Sequence, residues 1–212
     1  MHIYWKGQSC FSIVASQKKG DPINIVIDGI DKESGNKLSR QKADLCIYTQ
    51  SDVDLKKADD DGNFFINGPG EYETKEIYIK GIPSEDTRKD KNVIYTIEAE
   101  DEEIRICHMG MFNQKELTSR QIEEIGDVDI LMIPVGGSSV IDGSIAASIA
   151  NQIEPKIVIP MYYSVDGDKK LDTNAKFLKA TGEAPEVQDK LLIKKKEIDS
   201  IGDNTKVVVL KP

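Results

Sequence analysis

Cysteine is scarce in this chain of 212 residues. Cys10, Cys46 and Cys107 are widely spaced and odd in number, so no disulfide framework is implied. Each lies in or beside an apolar run, where a thiol serves as a small buried hydrophobe. Cys10 and Cys107 have no neighbouring cationic pair to lower a thiol pKa, and neither is assigned as a nucleophile. Long hydrophobic runs are lacking too: none approaches the roughly 20 apolar residues that span a bilayer. The opening Met1-His2-Ile3-Tyr4-Trp5-Lys6 reads as a strand and not as a signal peptide. Basic residues are outnumbered, 28 Lys and Arg against 37 Asp and Glu, for a formal charge of -9. That balance repels phosphate backbones and anionic headgroups, so neither a nucleic acid nor a membrane is expected as a partner. The most basic run, Lys194-Lys195-Lys196, is flanked by acidic residues and reads as a solvated strand end. There is no internal repeat, low-complexity tract or long linker, so one domain over residues 1–212, with a cytoplasmic address, is expected.

What is present is an ordinary apolar fraction, 39%, arranged as strands first and strand–helix units later. In the first half, Ile3 to Trp5, Phe11 to Ala15, Ile23 to Asp28 and Leu45 to Thr49 are apolar or β-branched runs between turn residues. Phe64 to Asn67 follows the turn signal Asp60-Asp61-Gly62-Asn63. Ile77 to Ile79 comes next, and then a hairpin of Asn92 to Ala99 with Ile104 to His108. In the second half, Thr118 caps a short amphipathic helix reaching Ile125. Strands over Ile130 to Pro134 and Ile157 to Pro160 bracket a helix over Ile145 to Gln152. A helix over Asn174 to Ala180 and strands over Leu191 to Lys194 and Lys206 to Leu210 close the chain. The pattern alone implies two sheets flanked by helices.

Specific residues add more. Trp5-Lys6-Gly7-Gln8-Ser9-Cys10-Phe11 resembles the opening W-x-G-H-S-C-F of a branch of the metallo-β-lactamase superfamily that includes ascorbate-phosphate lactonases. The resemblance continues through Val26-Ile27-Asp28, Asn67-Gly68-Pro69-Gly70-Glu71-Tyr72-Glu73, Gly81-Ile82-Pro83-Ser84 and Ile106-Cys107-His108-Met109-Gly110. It runs on through Gly126-Asp127-Val128-Asp129, Pro134-Val135-Gly136-Gly137 and Glu154-Pro155-Lys156-Ile157-Val158-Ile159-Pro160-Met161. It spans the chain in order and implies an α/β fold, the αββα sandwich of two mixed β-sheets flanked by helices.

The same resemblance implies where metal ligands would stand, and most of them are replaced. The family's T-H-x-H-x-D-H falls on Thr49-Gln50-Ser51-Asp52-Val53-Asp54-Leu55. Gln50, Asp52 and Leu55 stand where histidines should be, and Asp54 alone matches. The histidine after I-P-S falls at Asp86, the bridging aspartate of H-x-G-D at Met111, and the histidine of P-M-H-Y at Tyr162. Gln8 replaces the opening histidine. Hydrolysis in this family uses a zinc-bound hydroxide, and Met111 offers a soft thioether in place of a hard carboxylate. Of the chain's two histidines, His2 and His108, neither occupies a ligand position. Zinc is therefore not expected as a cofactor.

Each remaining position has two readings. Asp28 lies where the family keeps an aspartate that orients the ligand loop; it reads more simply as an acceptor for loop N–H groups. Asp52, Asp54 and Asp86, with the Gln50 amide, form an all-oxygen set that would suit Mg²⁺, Mn²⁺ or Ca²⁺, or they are solvated loop carboxylates. Leu55, Met111 and Tyr162 read as apolar fill of the vacated cage, or as the wall of a small-ligand pocket. His108 occupies a position the family keeps for packing. Gly136-Gly137-Ser138-Ser139 ahead of a helix is a weak anion-binding signal without the P-loop lysine. Three functions follow: a catalytically inactive pseudoenzyme that binds a protein or small molecule or serves assembly, a metal-dependent hydrolase of phosphoesters or lactones, and a small-ligand binder. The likeness to oligomeric lactonases implies self-association.

Overall fold

The computed structural model of the chain describes residues 1–29, 43–50, 64–85, 92–165 and 170–212. The first sheet is built from β1 (His2–Trp5), β2 (Phe11–Ala15), β3 (Ile23–Ile27), β4 (Leu45–Ile47), β5 (Phe64–Ile66) and β13 (Leu191–Leu192). Their order is β13-β1-β2-β3-β4-β5. β1, β2 and β3 pair antiparallel, whereas β3, β4 and β5 run parallel. In β2 and β3 every second residue is buried, the period of a strand with one face on a core.

The second sheet adds β6 (Gly70–Thr74), β7 (Ile77–Pro83), β8 (Val93–Ala99), β9 (Ile104–His108), β10 (Ile130–Pro134), β11 (Ile157–Met161), β12 (Glu186–Gln188) and β14 (Lys206–Leu210). The order is β12-β14-β11-β10-β9-β8-β7-β6, parallel from β9 through β14 and antiparallel from β9 to β6. β10 and β11 are buried at every position, because both faces of these central parallel strands are covered. On one side Ile130, Met132, Ile157 and Ile159 meet the first sheet in a core that includes Ile3, Phe11, Ile25 and Ile47. On the other, Leu131, Ile133 and Val158 pack with three helices, α1 (Ser119–Ile125), α2 (Gly143–Ile153) and α3 (Ala175–Thr181). Each such buried side chain contributes about 1.5–3 kcal/mol relative to leaving it in water. Among the described residues no helix is long and apolar enough to cross a membrane.

The helix ends follow from local chemistry. Thr118 and Gln121 form the reciprocal capping box that starts α1, and Asp142 caps α2 by accepting from the N–H groups of Ser144 and Ile145. That cap corrects the anion-binding reading of Gly136 to Ser139. The free N–H groups of α2 are taken by its own carboxylate, and the Gly137 N–H donates to the Ile141 carbonyl at 3.1 Å. The Lys194 to Lys196 run is likewise not a strand end. It opens a short helix, α4 (Lys195–Asp199), which buries Ile198 and places Lys195 Nζ 2.8 Å from Asp129 Oδ1.

The parallel strands deliver their C-terminal ends to one rim. His108 closes β9, Pro134 closes β10 and Met161 closes β11, with Met132 opposite His108 and Pro134 opposite Met161. In the first sheet, Ile27 and Ile47 end β3 and β4 side by side. The residues just beyond these ends are Asp28, Thr49 and Gln50, Met109 to Met111, and Tyr162. In open α/β sheets this rim is where ligands bind.

Candidate functional site

The first rim segment turns sharply. Asp28 has a φ of 49°, and its N–H donates to the Ile47 carbonyl at 2.9 Å. Its carboxylate accepts from the Thr49 N–H and the Thr49 hydroxyl, both at 2.7 Å. Two charge-assisted bonds to one residue hold the turn that presents Gln50. The Gln50 amide nitrogen then donates to the Met111 thioether sulfur. Across the rim, Tyr162 has a φ of 51° and its N–H donates to the Gln8 carbonyl at 3.0 Å, tying the two sheets together. The same carbonyl accepts from the Trp5 indole at 2.9 Å, and Trp5 stacks on Tyr163 with ring centroids 5.0 Å apart.

His108 lies directly beneath and is fully buried. Its Nε2 lies 2.9 Å from the Ser9 carbonyl, which can only accept, so Nε2 carries the proton. Nδ1 accepts from the Gly110 N–H at 3.1 Å. Both nitrogens are engaged and the ring is the neutral tautomer. Burial pulls its pKa down, against an opposing pull from the Asp28 charge. Burial pushes the Cys46 thiol up to about 11 and the Cys107 thiol up to about 12, which removes thiolate character from both.

The lowered His108 pKa has a stability consequence. The unfolded chain takes up a proton near pH 6.5, whereas the folded chain takes it up only at lower pH. The contribution is therefore fully present above pH about 6.5 and is lost as the pH falls below it. Between pH 7 and 5.5 the wild type is expected to lose more unfolding free energy than His108→Gln. Urea titrations of both proteins at several pH values measure this, and parallel curves would show that His108 charges freely in the fold.

Of the positions singled out in the sequence, the rim joins Asp28, Gln50, His108, Met111 and Tyr162. Asp52, Asp54, Leu55 and Asp86 lie outside the described residues. Three of the described positions are ligand positions by resemblance, and they present an amide, a thioether and a phenol. Zinc pairs are held by imidazole, thiolate or carboxylate, so these donors do not fit a zinc pair, and two of them are spent on each other. Among the described residues no group of three or more His, Cys, Asp or Glu is placed to hold a metal ion. One residue of this region carries no local signal in the sequence. Asn92, 1% exposed, donates to Ser84 Oγ and to the Met109 carbonyl, both at 2.9 Å, and accepts from the Met111 N–H at 2.7 Å.

Comparison with known proteins agrees with this architecture. A family model for the beta-lactamase superfamily domain matches residues 2–162. Among solved structures, the chain is similar to a proposed Zn-dependent hydrolase of the metallo-beta-lactamase superfamily from Thermotoga maritima. The two are 27% identical with a TM-score of 0.77, over 99% of this chain and 97% of that one. A metallo hydrolase from Ignicoccus hospitalis shares the fold at 18% identity and a TM-score of 0.60, over 100% of this chain and 95% of that one. A UPF0173 protein of Pyrococcus furiosus is 30% identical over 93 residues, which span 44% of this chain and 41% of that protein.

Proposed function

Because the chain belongs to the beta-lactamase superfamily domain family, we propose that this metallo-β-lactamase-fold, hydrolase-like protein is a pseudoenzyme kept for binding or assembly. The observation that carries the reading is the Gln50–Met111 contact. Two positions that would hold metal by resemblance are neutral and satisfy each other. In the family, a metal lowers the pKa of its bound water to about 7 and so supplies hydroxide. Here an amide and a thioether give no anionic charge to hold such an ion, while His108 cannot serve as a base with both nitrogens engaged. The rim remains a shaped surface at the strand ends, suited to a protein partner, a small molecule or a second copy of this chain. A charge of -9 argues against nucleic acid, and the reading places the protein in the cytoplasm.

Metal loading followed by desalting and elemental analysis tests the reading. After incubation with Zn²⁺, Mn²⁺ or Mg²⁺, the protein is expected to retain less than about one-tenth of an equivalent. It is also expected to leave phosphodiester and lactone substrates untouched. Retention of about one equivalent of Mn²⁺, lost in Asp52→Ala and Asp86→Ala together with measurable hydrolysis, would establish instead a hydrolase with an oxygen-ligated ion.

A further inference from the structure

We propose that a hydrogen-bond web centred on Asn92 cross-links the rim loops in this chain, in place of the cation that the resemblance puts there. The segments that bear ligand positions by resemblance follow β4, β7, β9 and β11. In the described residues, each is fastened by contacts that need no ion. Asn92 joins two of these segments by itself, through Ser84 after β7 and through Met109 and Met111 after β9. Its orientation is fixed, since the Met109 carbonyl can only accept and the Met111 N–H can only donate. Both amide hydrogens and the amide oxygen are used, which is what a side chain 1% exposed requires.

The backbone extends the web. The Ser84 N–H donates to the Asn92 carbonyl at 3.0 Å, and the Val93 N–H to the Thr49 carbonyl at 2.7 Å. Gln50 forms an isolated bridge with Asn92. Thr49 is in turn held by Asp28, and Gln50 by Met111. Tyr162, after β11, bonds to Gln8, and His108 joins Ser9 to Gly110. The packing is tight enough that a Cβ on Gly110 would lie 2.3 Å from Asn92 Oδ1 and 2.6 Å from Thr49 Cβ. A metal fastens loops from their tips, with charged ligands pointing inward. This web fastens them with backbone groups, neutral side chains and the single Asp28 carboxylate, so the rim is already shaped before any ligand arrives.

The inference rests on the reading that no ion joins these loops. Its test reads stability and amide exchange rather than turnover, so hydrolysis by a protein whose stability ignores metal would overturn only the proposed function. Chelator-treated wild type is expected to melt within about 1 °C of the same protein with saturating Zn²⁺ or Mn²⁺. The Met111 and Val93 amides are expected to be strongly protected from hydrogen exchange in metal-free protein. Asn92→Ala, which strands the Ser84 hydroxyl, the Met109 carbonyl and the Met111 N–H, should lower Tm by about 10 °C and expose the Met111 amide. Should that variant not fold, Ser84→Ala removes one acceptor and should lower Tm by roughly 2–4 °C. A metal-induced rise in Tm of about 5 °C or more, an unprotected Met111 amide in metal-free wild type, or an unchanged Tm in either variant overturns the web as the rim's fastening.

Discussion

Gly136→Ala is expected to destabilise the protein by at least about 3 kcal/mol and to lower Tm by roughly 6–12 °C, or to leave the chain insoluble. A Cβ at this position would stand 2.2 Å from the Tyr162 carbonyl oxygen and 3.1 Å from the Tyr163 Cα. Both obstacles are backbone, so no rotamer change relieves the clash. The two strand ends cannot slide apart without further losses. The Tyr162 N–H is committed to Gln8, and the Gly136 carbonyl accepts from the Asp172 N–H at 2.7 Å. Gly182→Ala is the control. Gly182, unlike Gly136, has a left-handed backbone, with a φ of 71°, but a Cβ there meets nothing within 4 Å. Its cost is conformational alone, about 1 kcal/mol. Thermal unfolding of both variants separates close approach from left-handed strain, and equal losses would show that the Gly136 contact relaxes freely.

Trp5→Ala is expected to cost about 4 kcal/mol, in the range of large aromatic deletions from a core. Trp5 is 1% exposed, packs in the core between the sheets and stacks on Tyr163. Its indole N–H also satisfies Gln8, the residue that anchors Tyr162. The substitution therefore opens a cavity and loosens the rim at once. Trp5→Phe keeps most of the apolar volume and should cost only about 1–2 kcal/mol, chiefly the lost N–H bond and part of the stack. Chemical denaturation followed by far-ultraviolet circular dichroism gives both values. Trp5 is the chain's one tryptophan, so wild-type fluorescence reports directly on this corner. A loss below about 2 kcal/mol in Trp5→Ala would mean that the site collapses readily around the smaller side chain.

The fully buried strands were plain in the sequence because burial on two faces writes a continuous apolar run. Ile130 to Pro134 and Ile157 to Pro160 match β10 and β11 almost residue for residue. The polar edges were not. Gly70–Thr74 reads Gly-Glu-Tyr-Glu-Thr, with no buried residue, and becomes β6 only because β7 offers it a ladder. Glu186–Gln188 is an edge strand of the same kind beside β14. Ile77 to Ile79 proved to be the start of a longer strand that runs to Pro83, since Lys80 and Gly81 interrupt its apolar pattern. The sequence places the α4 lysines at a solvated strand end because lysine favours solvent, whereas they open a helix. Lys195 is instead drawn in by Asp129 and Asp199, and Ile198 supplies the anchor.

The rim divides along similar lines. The resemblance to the family's motifs singles out Asp28, Gln50, His108, Met111 and Tyr162, which lie at or just beyond strand ends on one rim. In the sequence Asn92 reads only as the start of a strand, because its polar partners are not local. Its three side-chain partners come from segments 8 to 19 residues away, and only the fold makes them neighbours. In the sequence Ser84 stands out solely as part of a motif. A buried amide with every hydrogen bond made is invisible to periodicity, since its position is set by backbone atoms of other strands.

The pairing of β1 with β13 also sets a schedule for synthesis. His2 is matched with Leu192 and Ile3 with Leu191, so β1 leaves the ribosome long before its partner strand is made. At about 5–20 residues per second, that interval is roughly 10–40 s. Throughout it β1 carries an open edge, with its outer N–H and C=O groups available to any other extended chain. The nascent chain is most exposed to chaperones and to mispairing during this period, and slow codons placed before residue 191 would lengthen it.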